Sequence, residues 1–378
     1  MPVFGRGGTR LAADIRHLDF VDALRGYAIL GVIAVHASAA VPDLEWPLLL
    51  LADQGARGVQ LFFLVSAFTL TLSWHQRRDG VVPFLVRRLF RVGPMFWLAI
   101  AFFTATAASG PPSWPSILAT ATFTHTLHPQ TIDAVVPGGW SIGDEMIFYL
   151  LLPLLVATLR SWTATALALA AAVCVSLLMA ALAHYGWLFP GLDRAAVQQF
   201  VFLSFPNQLA AFLGGMLVFH LLRAFPAAPS RATLRAGLVL SVGAMAAVPF
   251  IAMALHPYLL HTTYLLPTVY TLPFGLCTWC LAKGGGGLLV NRLIEYAGEV
   301  SYSAYFWHFA VLGLLSRFLP LSGAPAAGWL RFLATYAAAV ALTVAVSSIT
   351  YRLIERPMIN VGRRLALRLA AKRVVVAG

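Results

Sequence analysis

Ten stretches of about twenty mostly apolar residues leave this chain few folds to choose from. They fall at roughly 20 to 41, 57 to 74, 92 to 109, 140 to 160, 163 to 184, 200 to 222, 232 to 253, 260 to 282, 300 to 318 and 329 to 352. A helix needs about 20 residues to cross a hydrocarbon core ~30 Å thick, and no water is there to bond an open backbone. Each stretch is therefore expected to satisfy its own N–H and C=O groups as a helix. With 60% hydrophobic and 11% charged residues, an ordinary soluble domain, about a quarter charged, is excluded. The expected fold is all-α: a polytopic membrane protein of about ten transmembrane helices.

The formal charge of +12 raises the question of a nucleic-acid partner, but the basic residues are gathered between the apolar spans and form no continuous patch. All Lys and Arg except Arg57, Arg194, Arg317 and Arg331 fall in the N-terminal segment, in alternate connections, in the C-terminal tail or at Arg25. The positive-inside rule then puts both termini in the cytoplasm. Arg6, Arg10 and Arg16 before an apolar stretch ending Ala37-Ser38-Ala39 resemble a secretory signal. The stretch is long for one, and we read it as an uncleaved first span. The expected organisation is a cytoplasmic segment 1 to 17, a membrane domain 18 to 357 and a basic cytoplasmic tail 358 to 378.

The first span carries Arg25 and, eleven residues later, His36. Eleven residues make three turns plus 20°, so both lie on one helix face, ~16 Å apart. Ionisable groups at membrane depth are costly and point to function, although an Arg at a helix end can also anchor in headgroups and a lone His can simply bond a neighbouring helix. The other two such residues are Glu145 and His308. Counting 1.5 Å per residue from the span ends puts Glu145 ~8 Å below the outer surface, level with His36, and His308 ~12 Å above the inner one, nearer Arg25. A His and a carboxylate at one depth suit general-base chemistry, and they equally suit a proton-coupled transporter.

The connections add a second set. Residues 75 to 91, HQRRDGVVPFLVRRLFR, hold Arg87, Arg88 and Arg91. Arg88 and Arg91 share a helix face, as membrane anchors or as a two-pronged clamp for phosphates. Residues 110 to 139 contain no Arg or Lys but have His125, His128 and Asp133 before Pro137-Gly-Gly-Trp140. A loop of this length is usually functional, and residues 116 to 127 suit a short helix dipping into the membrane. The two His at i, i+3 have only Asp133 as a further metal ligand, so no metal is expected. Cys277-Thr-Trp-Cys280 lacks the second pair of a zinc site and reads as packing. Gly284 to Gly287 lack the Lys-Ser/Thr of a P-loop and read as a linker.

In order along the chain, LDFVDALRGYAILGVIAVH, QLFFLVSAFTLTLS, FLVRRLFRVGPMF, GGWSIGDEMIFYLLLPLL, FPNQLAAFLGGML and EVSYSAYFWHF resemble the acyltransferase-3 family of bacterial integral-membrane O-acyltransferases. The likeness runs from about residue 17 to 357. It implies transfer of an acyl group, commonly acetyl, from cytoplasmic acyl-CoA to a hydroxyl of a cell-envelope glycan, lipid-linked sugar or similar acceptor, in the bacterial inner membrane. By matching position, His36 resembles the essential histidine and Arg25 its partner. Glu145 resembles the motif glutamate, and Arg88 and Arg91 the arginines tied to CoA, with Arg87 beside them. His308, Ser301 and Tyr302 match the late SYS motif. Ala67 stands where the family usually has Gly, and Asn207-Gln208 where an Arg is common.

The resemblance implies acetyl-CoA or another acyl-CoA as co-substrate, and polysaccharide assembly machinery is a conceivable partner. In the expected mechanism His36, assisted by Glu145, takes the acceptor proton while Arg88 and Arg91 hold the CoA phosphates. The competing readings are a transporter or flippase using His36, His308 and Glu145 as a proton relay, an acyltransferase for a hydrophobic small molecule such as a macrolide, and a structural scaffold for polysaccharide export.

Overall fold

In a computed structural model of the chain, residues 18–77, 79–108, 110–255, 262–318 and 327–377 are described. The expected segment 1 to 17, with its three arginines, and Arg78 lie outside them. The described residues fold into helices and short turns: α1 (Asp19–Ala39), α2 (Trp46–Asp53), α3 (Gly58–Arg77), α4 (Val81–Thr106), α5 (Trp114–Ala121), α6 (Trp140–Thr158), α7 (Trp162–His184), α8 (Arg194–Leu203), α9 (Phe205–Ala224), α10 (Arg231–Leu255), α11 (Thr262–Cys280), α12 (Arg292–Glu299), α13 (Ser301–Phe318), α14 (Gly328–Thr350) and α15 (Arg356–Ala377). Each of the ten apolar stretches carries a helix. Among the described residues, nine helical runs are long and apolar enough to cross a membrane. The remaining helix, α13, is 18 residues long and buries Ser301, Ser303 and His308 inside the bundle, which lowers its hydropathy without removing it from the core.

Several runs are longer than their apolar stretch. α4 begins at Val81, so Arg87, Arg88 and Arg91 lie on its first three turns and not in a loop. α2, a 3-10 turn Gln54–Arg57 and α3 form one helical run Trp46–Arg77. Gly284 takes φ +94° in a tight turn after α11, and Gly287–Leu289 forms a 3-10 turn, so the glycine run is ordered.

Inside a bilayer no expelled water drives helices together, and close packing of small residues takes over. α1 uses this on two sides. A Cβ on Gly26 would lie 2.1 Å from the Ile294 carbonyl of α12, and one on Gly298 would lie 1.8 Å from the Asp22 carbonyl. On the other side a Cβ on Gly55 would lie 2.0 Å from the Gly31 carbonyl, and one on Gly58 would lie 2.3 Å from the Ala28 carbonyl. α1 is thus clamped between α12 and the start of α3. Further out, the Phe63, Phe212 and Phe148 rings stack at 4.4 Å intervals and join α3, α9 and α6.

Two connections decide where the site residues end up. α12, capped by the Asn291 side chain on Leu293 and Ile294 N–H, lies along the first turns of α1. It therefore delivers the start of α13 already beside Arg25's end of α1. The connection from α4 to α6 does the same from the opposite direction. Its Gly138, at φ +73°, packs against Tyr305 and Phe309 of α13, so α6 begins inside the bundle. These two connections shift whole helices relative to a common surface plane.

Candidate active site

A cavity of about 210 Å³ opens between α1, α3, α4, α6 and α13. Arg25, Arg88 and Arg91 converge on it from two helices, and Glu145 enters from α6. Their convergence follows from sequence spacing: Arg88 and Arg91 share a face of α4, and Arg25 faces them from α1. The Arg88 side chain lies 5.9 Å over the Phe84 ring, and its Nε has no hydrogen-bond partner among the described residues. A guanidinium group with an unused donor, beside two more on the same cavity, suits a multiply charged oxyanion ligand.

The three arginines are not equivalent. Arg91 is ion-paired with Glu355, whose side chain is fully buried, and stacks 5.6 Å from the Tyr302 ring. Ser303 Oγ donates to the other Glu355 oxygen at 2.7 Å, and the Tyr302 hydroxyl donates to the Val92 carbonyl at 2.7 Å. The Ser-Tyr-Ser segment therefore works as a bracket: Ser301 lines the cavity, Tyr302 grips α4 and Ser303 holds the carboxylate that holds Arg91. Arg87 turns away. It is bound through both terminal nitrogens to Asp79, outside the cavity lining. The structure thus places Arg87, expected beside the clamp, on Asp79 and not on the cavity wall.

Glu145 also departs from expectation. Its Oε1 accepts from Ser66 Oγ at 2.7 Å, Tyr149 faces it one turn on, and its charge acts on Arg25 and Arg88. It belongs to the arginine end. His36 instead lies against His308, with ring centroids 5.2 Å apart, and against Phe309 at 4.5 Å. The expected levels, Glu145 with His36 and His308 with Arg25, are thus exchanged. The reason is the pair of connections described above, which start α6 and α13 inside the bundle.

His308 is fully buried. Its Nδ1 meets the Ala304 carbonyl at 3.2 Å. A carbonyl can only accept, so Nδ1 carries the proton and the neutral ring keeps its lone pair at Nε2. Nε2 has no partner among the described residues. A buried acceptor left open costs roughly 1–3 kcal/mol, which suits a group that meets a positive charge or a donor only during reaction.

Tyr305 stands between the two ends. It lines the cavity, its ring is 5.9 Å from His308, its hydroxyl donates to the Gly138 carbonyl at 3.0 Å and it accepts from Ser141 Oγ at 3.0 Å. Reading the sequence missed Tyr305, Ser141, Tyr149 and Glu355. Tyr149 was within reach, one helical turn after Glu145; Glu355 was masked by Arg352 and Arg356 on either side.

The remaining candidates lie away from the cavity wall. His125 is buried with Nε2 on the Gly139 carbonyl at 3.0 Å, and burial lowers its pKa so that the ring stays neutral. His128 Nδ1 accepts from Gln130 N–H. Gln60 donates to Gln208 at 2.7 Å, and Asn207 and Gln208 both donate to the Phe202 carbonyl, tying α3 to α9 away from the cavity. Cys277 and Cys280 are buried, unbridged thiols.

Residues 18–352 match the acyltransferase domain family. The exopolysaccharide production protein ExoZ of Rhizobium meliloti (strain 1021) is 27% identical over 323 residues, covering 82% of this chain and 91% of that protein. No solved structure matches.

Proposed function

The chain belongs to the acyltransferase-3 family, and from that premise we propose that it is an inner-membrane O-acyltransferase using cytoplasmic acyl-CoA, with acetyl as the acyl group. The acceptor is a hydroxyl of a cell-envelope glycan or its lipid-linked precursor. The similarity to an exopolysaccharide production protein supports the glycan, and the clustering of Arg and Lys in alternate connections supports the cytoplasmic orientation of the arginine end.

The observation that carries the reading is an arginine-lined cavity with a histidine pair just beyond its Tyr305 wall. At one end the Arg25, Arg88 and Arg91 guanidinium groups share a cavity; at the other His36 and His308 are in ring contact, with Tyr305 between them. The arginine set fits a ligand bearing several phosphates, as CoA does. When bound, the donor supplies a thioester carbonyl.

Arg25 and Arg88 orient its phosphates, while Arg91, neutralised by Glu355, shapes the wall. Glu145, hydrogen-bonded to Ser66, keeps the arginine cluster apart and ordered. At the far end His36 accepts the proton of the attacking hydroxyl. The new C–O bond forms as the C–S bond breaks, and His36 returns the proton to the departing thiolate. His308, fixed at Nδ1, holds its lone pair beside His36 and steadies the charged imidazolium.

The test is thiol release from acetyl-CoA by the purified protein, with and without de-O-acetylated polysaccharide from the producing cell. Acceptor-dependent release with acetylated product is expected. No release, together with proton-driven uptake of the glycan into vesicles, would replace this reading with the transporter.

A further inference from the structure

The connection between α4 and α6 is built into the histidine end. His125 pins it by its bond to the Gly139 carbonyl, and Thr131 Oγ1 donates to the His125 carbonyl at 2.8 Å. Held this way, the Pro137-Gly138-Gly139 turn lies on Tyr305 and Phe309. A Cβ at Gly138 would be 2.9 Å from the Tyr305 hydroxyl oxygen and 3.3 Å from the Phe309 ring. Phe309 in turn contacts both His36 and His308.

Asp133 sits on this connection, exposed. Its carboxylate faces the backbone N–H groups of Gly138 and Gly139 and acts electrostatically on Tyr305. The mechanism above leaves it unused, and it is a carboxylate at the end where Glu145 is not. A fixed carboxylate, a phenol and two aromatic faces form a recurrent way to hold a neutral polyol: oxygens accept from hydroxyls, the phenol donates, and the rings cover the apolar face of the sugar.

We propose that Asp133, the Gly138–Gly139 turn and Tyr305 form the subsite that binds hydroxyl groups of the acceptor and delivers one of them to His36. This rests on the acyl-transfer reading. The ligand class is an uncharged, polyhydroxylated sugar residue. Desolvation pushes the Asp133 carboxyl up to about 7, and every guanidinium of the cavity lies at the other end, so an anionic group at this position would find no cation to meet it. The Tyr305 hydroxyl, now spent on Gly138 and Ser141, is the donor that the sugar would take over.

The experiment compares the wild type with Asp133→Asn and Tyr305→Phe, titrating acetyl-CoA at fixed de-O-acetylated polysaccharide and the reverse. The expected result is an acceptor KM raised at least tenfold by Asp133→Asn with acetyl-CoA KM within twofold, and an acceptor KM raised severalfold by Tyr305→Phe with a smaller shift in acetyl-CoA KM, since Tyr305 also lines the donor cavity. An acceptor KM unchanged by both substitutions would overturn the subsite while the wild type's activity left the acyl-transfer reading standing. Equal shifts toward donor and acceptor would also overturn it, because they mark general damage. A wild type with no transfer activity would overturn the reading beneath it.

Discussion

The arginine end and the histidine end of this site are made of opposite materials. The first gathers three guanidinium groups, a glutamate and a buried ion pair around a cavity; the second has two imidazoles and a phenylalanine in ring contact. In a low-dielectric interior, charge is tolerated only where partners or a ligand meet it. On the proposed reading the arginine end receives an ion and the histidine end a proton in transit. The difference also says what a substitution should do. At the first end it should alter binding and stability; at the second, turnover.

His36→Ala and His308→Ala put the division to its hardest test. Each is expected to lower kcat by about 10²- to 10⁴-fold, the usual weight of general acid–base groups, with acetyl-CoA KM nearly unchanged. Initial rates across a donor titration check this, and a large rise in donor KM would break the comparison. Next comes Glu355→Gln, which leaves Arg91 charged without its partner. Losing one member of a buried pair costs about 3–5 kcal/mol, so reversible detergent unfolding should show a clear loss of stability.

Arg88→Ala is expected to raise acetyl-CoA KM about 10- to 100-fold, the equivalent of a charge-assisted hydrogen bond worth ~1.5–3 kcal/mol, with kcat at saturating donor little affected. The smallest effect sharpens the boundary. Arg87→Ala, one residue away but paired with Asp79, should shift donor KM less than about threefold, as for positions away from a site. A large effect there would extend the donor site beyond the cavity.

What could be read in advance follows the physics of each signal. Membrane helices were legible because span length and apolarity are set by the bilayer itself. The pairing of Arg88 and Arg91 was legible because they share a helix face; that Arg25, read as the partner of His36, joins them was not. Depth was not. Counting residues from span ends assumes that all helices start at one plane, and α12 and the Gly138 turn break that assumption for α13 and α6. The His36–His308 contact and the Ser66–Glu145 bond were hidden for this reason. Glu355 was hidden by distance, since it meets Arg91 across 264 residues of chain.

That separation bears on how the protein is made. A membrane protein is threaded into the bilayer in chain order, and α4 enters with Arg91 long before Glu355 has left the ribosome. Until the last helices arrive, the chain carries an unmatched cation among helices that are otherwise ready to pack, at a cost of several kcal/mol. The ion pair that completes this wall of the cavity is therefore among the last contacts the chain can make.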